Sequence, residues 1–248
     1  YGIAWTYGVT DSMSFEGIAE ALAAPATAKN AALLGAAFLL AGLGFKVAAA
    51  PFHIWVPDVY QGAPNPVTAF LSVGSKAAGF IVLTRVVDAF MAKGSVIASE
   101  VQALLLIGGA LTVLLGSLPA IFQTNLKRLL AYSSISHAGY LLLALGCAQT
   151  ARFDLDGSSV AAFYLGTYLP MTVLGFLILT VVRQAGLGDD AQDFAGLAKK
   201  NPFLAFAATL GFASLAGIPL TAGFMGKLLV FIGAIEAGLY HDASLDLE

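Results

Sequence analysis

Apolar runs of about twenty residues, parted by short polar clusters, recur along this sequence, and a run of that length is what a helix needs to cross the roughly 30 Å hydrocarbon layer of a bilayer. A soluble domain is excluded by the same pattern, since 58% of the 248 residues are hydrophobic, only 11% are charged and the mean hydropathy is +0.84. A membrane β-barrel would alternate apolar and polar residues in segments of about ten, and no such segments occur. The expected fold is therefore all-α, a polytopic transmembrane helix bundle whose first partner is the lipid bilayer. Cys147 is a single thiol and forms neither an internal disulfide nor a multi-cysteine metal site, so neither a metal nor a redox cofactor is expected in this chain. The formal charge of −3, with scattered basic residues, speaks against nucleic acid as a partner. Tyr1 already sits in the tail of an apolar segment, with no signal-peptide pattern, so the chain reads as a piece of a longer protein, and Leu247-Glu248 reads as a cloning scar.

One transmembrane domain over 1–248 is expected, with spans near 31–56, 67–91, 101–122, 129–148, 159–182 and 202–238. A polar connection at 10–30 precedes them and holds a short amphipathic stretch. Pro51 falls inside the first span; it lacks an N–H and crowds the carbonyl four residues back, so the helix should kink or unwind between Lys46 and His53. The following PDVYQGAPNP, Pro57 to Pro66, is expected to be a non-helical turn. Thr68, Ser72, Ser75, Lys76 and Gly79 then form a polar stripe that must face other helices or a wet cavity, because lipid cannot satisfy it. The third span is uncharged and carries Gly109, Thr112, Gly116 and Ser117, a packing surface. Ser133, Ser136, His137 and Tyr140 make a second stripe on the fourth span, and Tyr164, Thr167 and Tyr168 gather on the fifth beside Pro170. Those tyrosines are read as packing. The sixth segment is broken again at Gly217, Pro219 and Gly223, with Lys227 two turns on. Two interrupted spans, each with a lysine at the interruption, suggest the corresponding elements of an internal duplication. Lys127, Arg128, Arg183, Lys199 and Lys200 fall on the side of the 57–66 turn, against Lys29, Lys93 and Arg152 opposite, which directs that turn to the cytoplasm.

Lys46, Lys76 and Lys227 would together cost roughly 7 to 10 kcal/mol if left unpaired in lipid. Snorkelling to an interface would relieve that cost, but all three sit well inside their segments, which makes them candidate proton sites. His137, among hydroxyls, is a candidate relay between them, with a structural hydrogen-bonding histidine as the competing reading. His53 beside Trp55 fits an interfacial structural role with an accessory function as the alternative, Lys127 a topology determinant or a cytoplasmic-side proton inlet, and Tyr140 an accessory member of its stripe. Glu236 reads as solvated near a helix end. No nucleophile with a base and no phosphate-binding loop points to bond-breaking chemistry.

GFKVAAAPFHIWVPDVYQGAPNPVTAFLSVGSKAAGF, QTNLKRLLAYSSISHAGYLLLALG and SLAGIPLTAGFMGKLLVF, in that order, resemble the antiporter-like membrane subunits of respiratory complex I, in the subunit N branch of that family. The resemblance spans essentially the whole sequence. It implies an inverted-repeat antiporter-like fold with two discontinuous helices, broken at Pro51 and at Gly217 and Pro219. It also implies a proton-translocating subunit of an NADH:quinone oxidoreductase, in a bacterial inner membrane. Lys46, Lys76, His137 and Lys227 match the family's proton-transfer axis. The resemblance places NAD, flavin, iron–sulfur clusters and quinone in other membrane and peripheral subunits of the complex, leaving protons and ordered water to this chain. The glutamate that pairs with the first lysine lies, in the family, on an earlier helix that this sequence does not contain. The alternatives are a subunit of a multisubunit sodium/proton antiporter or membrane-bound hydrogenase, and a structural subunit that conducts nothing.

Overall fold

A computed structural model describes residues 1–147 and 157–245, with 237–245 followed by their backbone alone. Arg152, the end of the fourth expected span at Ala148 and the pair Leu247-Glu248 lie outside the described residues. Helix α1 (Gly2–Thr10) lies against α3 (Lys29–Val47), and α2 (Phe15–Ala23), whose first turn is capped by Ser14 Oγ accepting from the Gly17 N–H, is the short amphipathic stretch of the connection. The helices α7 (Ala98–Ala120), α8 (Leu126–Gly146) and α9 (Gly157–Gln184) are unbroken, α9 running on through Pro170. Five helical stretches among the described residues are long and apolar enough to cross a membrane. Helix α8 is the axis of the bundle, with 72% of its most apolar window buried against at most 44% in the others.

Two expectations change in detail. The first span stops at Val47 rather than continuing to 56, because Ala48 turns into the left-handed region (φ 66°) and its N–H and that of Ala49 return to the Phe45 and Gly44 carbonyls. The chain then resumes as α4 (Trp55–Gly62), so the stretch expected as a non-helical turn is helical over most of its length. Pro57 is tolerated because it stands in the first turn, where its missing N–H has no intrahelical partner to lose, and the helix ends at Gly62 before Pro64. The second span is continuous from Asn65 to Phe90 but of three parts: α5 (Asn65–Phe70), a π-helical turn Leu71–Ser75, and α6 (Lys76–Phe90). Nothing in the residue pattern announced the wide turn, which stands immediately before Lys76.

The sixth segment is likewise two helices, α11 (Pro202–Ala216) and α12 (Ala222–Leu245). Gly217 supplies the left-handed residue (φ 80°) that ends α11, the same device that Ala48 provides in α3. Close approach of α7 to α8 depends on glycine: a Cβ on Gly139 would stand 2.7 Å from the Val113 backbone nitrogen. The polar connection after α9 folds onto the start of α8, where the Leu126 N–H donates to the Asp189 carbonyl (2.8 Å) and the Ala191 N–H to that of Thr124 (3.0 Å). It adds a 3-10 turn, Ala191–Phe194, and the short α10 (Leu197–Lys200).

Candidate functional site: a buried line of lysines, hydroxyls and histidine

Lys76 opens α6 with 3% of its surface exposed, and its Nζ donates to the Ser134 carbonyl (2.7 Å) and to Ser134 Oγ (2.5 Å) on α8. A buried ammonium needs such acceptors, since it is held away from bulk water. Tyr168 on α9 donates its hydroxyl to the same Ser134 Oγ (2.9 Å) and stands 3.4 Å from the Ser72 carbonyl in the π-helical turn. One turn further along α8, His137 is buried, its Nδ1 2.6 Å from the Tyr164 hydroxyl and its ring 4.9 Å from that of Tyr168, centroid to centroid. Tyr140 follows, 6.3 Å from His137 and 6.1 Å from Tyr164 between ring centroids. Lys227 ends the line, with Nζ 5.3 Å from the Tyr140 ring centroid. It donates to the Leu215 and Ala216 carbonyls (3.0 and 2.9 Å), the negative end of α11, where a cation is favoured.

The residues singled out from the sequence divide in the structure. Lys76, His137, Tyr140 and Lys227 come together along α8. Lys46 stands apart. It is exposed, not buried, and has no hydrogen bond or ion pair among the described residues; its stem packs on Gly79, where a Cβ would meet Lys46 Cγ at 3.1 Å. Lys46 occupies the last turn of α3, just before the break at Ala48. His53 lies in the connection between the half-helices, partly buried, with Nδ1 unpartnered. Pro51 and Gly217 flank or form the two breaks, and Pro219 lies in the second. Lys127, read from the sequence as a topology determinant or a cytoplasmic-side proton inlet, is 0% exposed, and its Nζ donates to the Ala63 carbonyl at the end of α4 (2.5 Å). Arg128 instead reaches the surface and pairs with Asp58 (2.8 Å).

Three hydroxyls were missed or misread. Ser134, not its neighbour Ser133, holds Lys76, and Tyr164 and Tyr168 are bonded into the line rather than serving only as packing. The available signal was the i, i+4 spacing of the tyrosines, since a buried phenol needs a partner. Thr112, on the span read as packing alone, accepts the N–H of Ala50 (2.9 Å), an amide released by the break before Pro51.

Among known proteins, the family described as NADH:quinone oxidoreductase/Mrp antiporter, TM, matches residues 1–245. NADH-quinone oxidoreductase subunit N of Rhodospirillum rubrum is 41% identical over 241 residues, which cover 97% of this chain and 48% of that protein. In the solved respiratory complex I from Thermus thermophilus with bound aureothin, a chain 40% identical superposes with a TM-score of 0.74, over 96% of this chain and 49% of that one. A chain of the membrane-bound sulfane sulfur reductase, an archaeal respiratory membrane complex, is 29% identical with a TM-score of 0.83, over 94% and 46%. The chain thus spans about half the length of the curated relatives it matches.

Proposed function

This chain belongs to the NADH:quinone oxidoreductase/Mrp antiporter transmembrane family, and from that premise we propose that it forms part of a proton-translocating membrane subunit of an NADH:quinone oxidoreductase. The observation that carries the reading is the line Lys76, Ser134, Tyr168, His137, Tyr164, Tyr140, Lys227, buried as far as Tyr164 and partly exposed at Tyr140 and Lys227. A hydroxyl both donates and accepts, so it passes a proton on without holding net charge, while the lysines and the histidine store one. Lys76 holds its proton against Ser134; release through the Ser134 and Tyr168 hydroxyls brings it to His137, and Tyr164 and Tyr140 lead towards Lys227. Water fills the steps where ring contacts, not hydrogen bonds, join the members. Lys46, exposed beside Gly79, is the outer proton site, and His53 and Lys127 are accessory. Oxidation of NADH and reduction of quinone, with NAD, flavin and iron–sulfur clusters, belong to neighbouring subunits.

The integral membrane chain is assigned to a bacterial inner membrane with residues 57–66 towards the cytoplasm, supported by Arg128, Arg183, Lys199 and Lys200 at that end. Lys76→Met in the full-length subunit of the assembled complex should abolish most of the proton pumping coupled to quinone reduction, read as acidification of inverted vesicles. Unchanged pumping would sink the reading. The higher superposition on the sulfane sulfur reductase chain favours a second one, an antiporter module of a related complex. Purification with NADH- and quinone-handling subunits supports the first; a set of small membrane subunits alone supports the second.

A further inference from the structure

Helices α3 and α7 are tied together at two heights. At the end of the bundle opposite the 57–66 segment, Lys29 at the start of α3 pairs with Glu100 in the first turn of α7 (2.5 Å). Further in, at the break, the Ala50 N–H donates to Thr112 Oγ1 (2.9 Å). From Glu100 to Thr112 the helix rises about 18 Å, close to the roughly 15 Å that one leaflet contributes to the hydrocarbon layer.

Between the two ties lies a cavity of about 360 Å³. Leu83, Leu105 and Leu142 on its floor are buried, whereas Leu104, Ile107 and Leu111 on its α7 rim are exposed. Every lining side chain is apolar, and Ala41 and Gly108 are among the small residues that leave the hollow. Water is a poor occupant, since apolar cavities stay dry. A helix is too wide: a cylinder about 10 Å across, laid along the roughly 10 Å from Ala37 to Gly44, would need about twice the volume.

What the cavity opens on is lipid. Its rim continues into the exposed aliphatic face of α7, Leu111, Leu114, Leu115 and Leu118, on a helix long and apolar enough to cross a membrane. The small residues that let membrane helices approach stand on the inner face of α7 instead, where Gly109 and Gly116 meet α8. The inner end of the groove, at Ala49 to Phe52, also suits hydrocarbon. The N–H groups of Ala48 and Ala49 are met by the Phe45 and Gly44 carbonyls, that of Ala50 by Thr112 and that of Phe52 by the Ala49 carbonyl, while Pro51 has none. An apolar chain packed there strands no backbone donor.

We propose that the groove between α3 and α7 is a binding site for a single phospholipid acyl chain, from the leaflet opposite the 57–66 segment. The headgroup lies at the level of the Lys29–Glu100 pair, and the chain runs inward past Ala41 and Gly108 to end against Pro51 and Phe52. The site rests on the chain's place in the membrane alone and is independent of proton carriage.

The full-length subunit in the assembled complex, reconstituted with phosphatidylcholine bearing a photoactivatable diazirine midway along one acyl chain, tests the site. Irradiation should leave adducts on Leu105 and Leu142 in the floor, beside those that bulk lipid leaves on Leu114 and Leu118. Gly108→Phe should fill the groove without a clash, since a Cβ at Gly108 has nothing within 4 Å. It should lower the floor adducts several-fold and leave those on Leu114 and Leu118 unchanged. Adducts confined to Leu114 and Leu118 in the unaltered protein overturn the site, and are the result expected if a helix from outside this chain lies across the rim. Floor adducts that Gly108→Phe does not lower overturn it as well. Should Gly108→Phe fail to assemble, Gly108→Leu carries the same comparison; should neither assemble, the adducts on the unaltered protein decide alone.

Discussion

At Ser134 two hydrogen bonds converge on one hydroxyl, from the Lys76 ammonium and the Tyr168 phenol, so this small residue joins a helix-borne charge to the tyrosines of a third helix. Replacing it with alanine should leave the ammonium only the Ser134 backbone carbonyl, at a cost of about 1.5 to 3 kcal/mol for a lost bond to a charged group. That would appear as a lower unfolding temperature of the complex together with slower pumping. Tyr164→Phe isolates a different step: it removes the partner of His137 Nδ1 while keeping the ring contacts, and should cut pumping with only about 1 kcal/mol of lost stability. Lys76, His137 and Lys227 were legible without a structure because a charge or imidazole in an apolar run is costly and so conspicuous. Serines carry no such signature. Ser133 and Ser134 are chemically identical neighbours, and only the rotation of α8 against α6 and α9 selects the one that meets Lys76.

At the scale of elements, the two broken spans use one device, a left-handed residue closing a half-helix, at Ala48 and at Gly217. Proline and glycine made both breaks visible in the sequence, because their effects are local. Their consequences are not local. The amide freed at Ala50 is met by Thr112, sixty-two residues away on α7, so the helix whose span was read as packing also anchors the break. Thr112→Val should leave that N–H buried and unmet, destabilising the subunit by about 1 to 3 kcal/mol, with Thr112→Ser restoring most of it. Thermal unfolding of the detergent-solubilised complex measures both. The helix α4 was missed for a related reason: Pro, Gly and Asn count against a helix on average, yet Pro57 stands in the first turn and Gly62 at the end, where neither is costly.

In the whole molecule, one end gathers the 57–66 segment, the start of α8 and the polar connection after α9, tied by Arg128–Asp58 and by the strand-like bonds of Thr124 to Leu126 with Asp189 to Ala191. That end also holds the buried Asn65. Exposed Lys199 belongs to it and exposed Lys93 to the opposite end. Cysteines at these two positions should therefore react with an impermeant maleimide from opposite faces of the membrane, Lys199→Cys in inverted vesicles and Lys93→Cys in right-side-out cells. Reaction from the same face would refute the arrangement. Lys127 shows the limit of reading orientation from charge: beside Arg128 in sequence, it is buried while its neighbour is at the surface, because successive residues of a helix point about 100° apart. Hydrophobic run length, the costly lysines and histidine, and the breaks at Pro51 and Gly217 were determined by the sequence itself, since each follows from local chemistry in a bilayer. The tertiary structure alone decided which hydroxyls join them and that Lys46 is left exposed, because those depend on how helices far apart in sequence are rotated and pressed together.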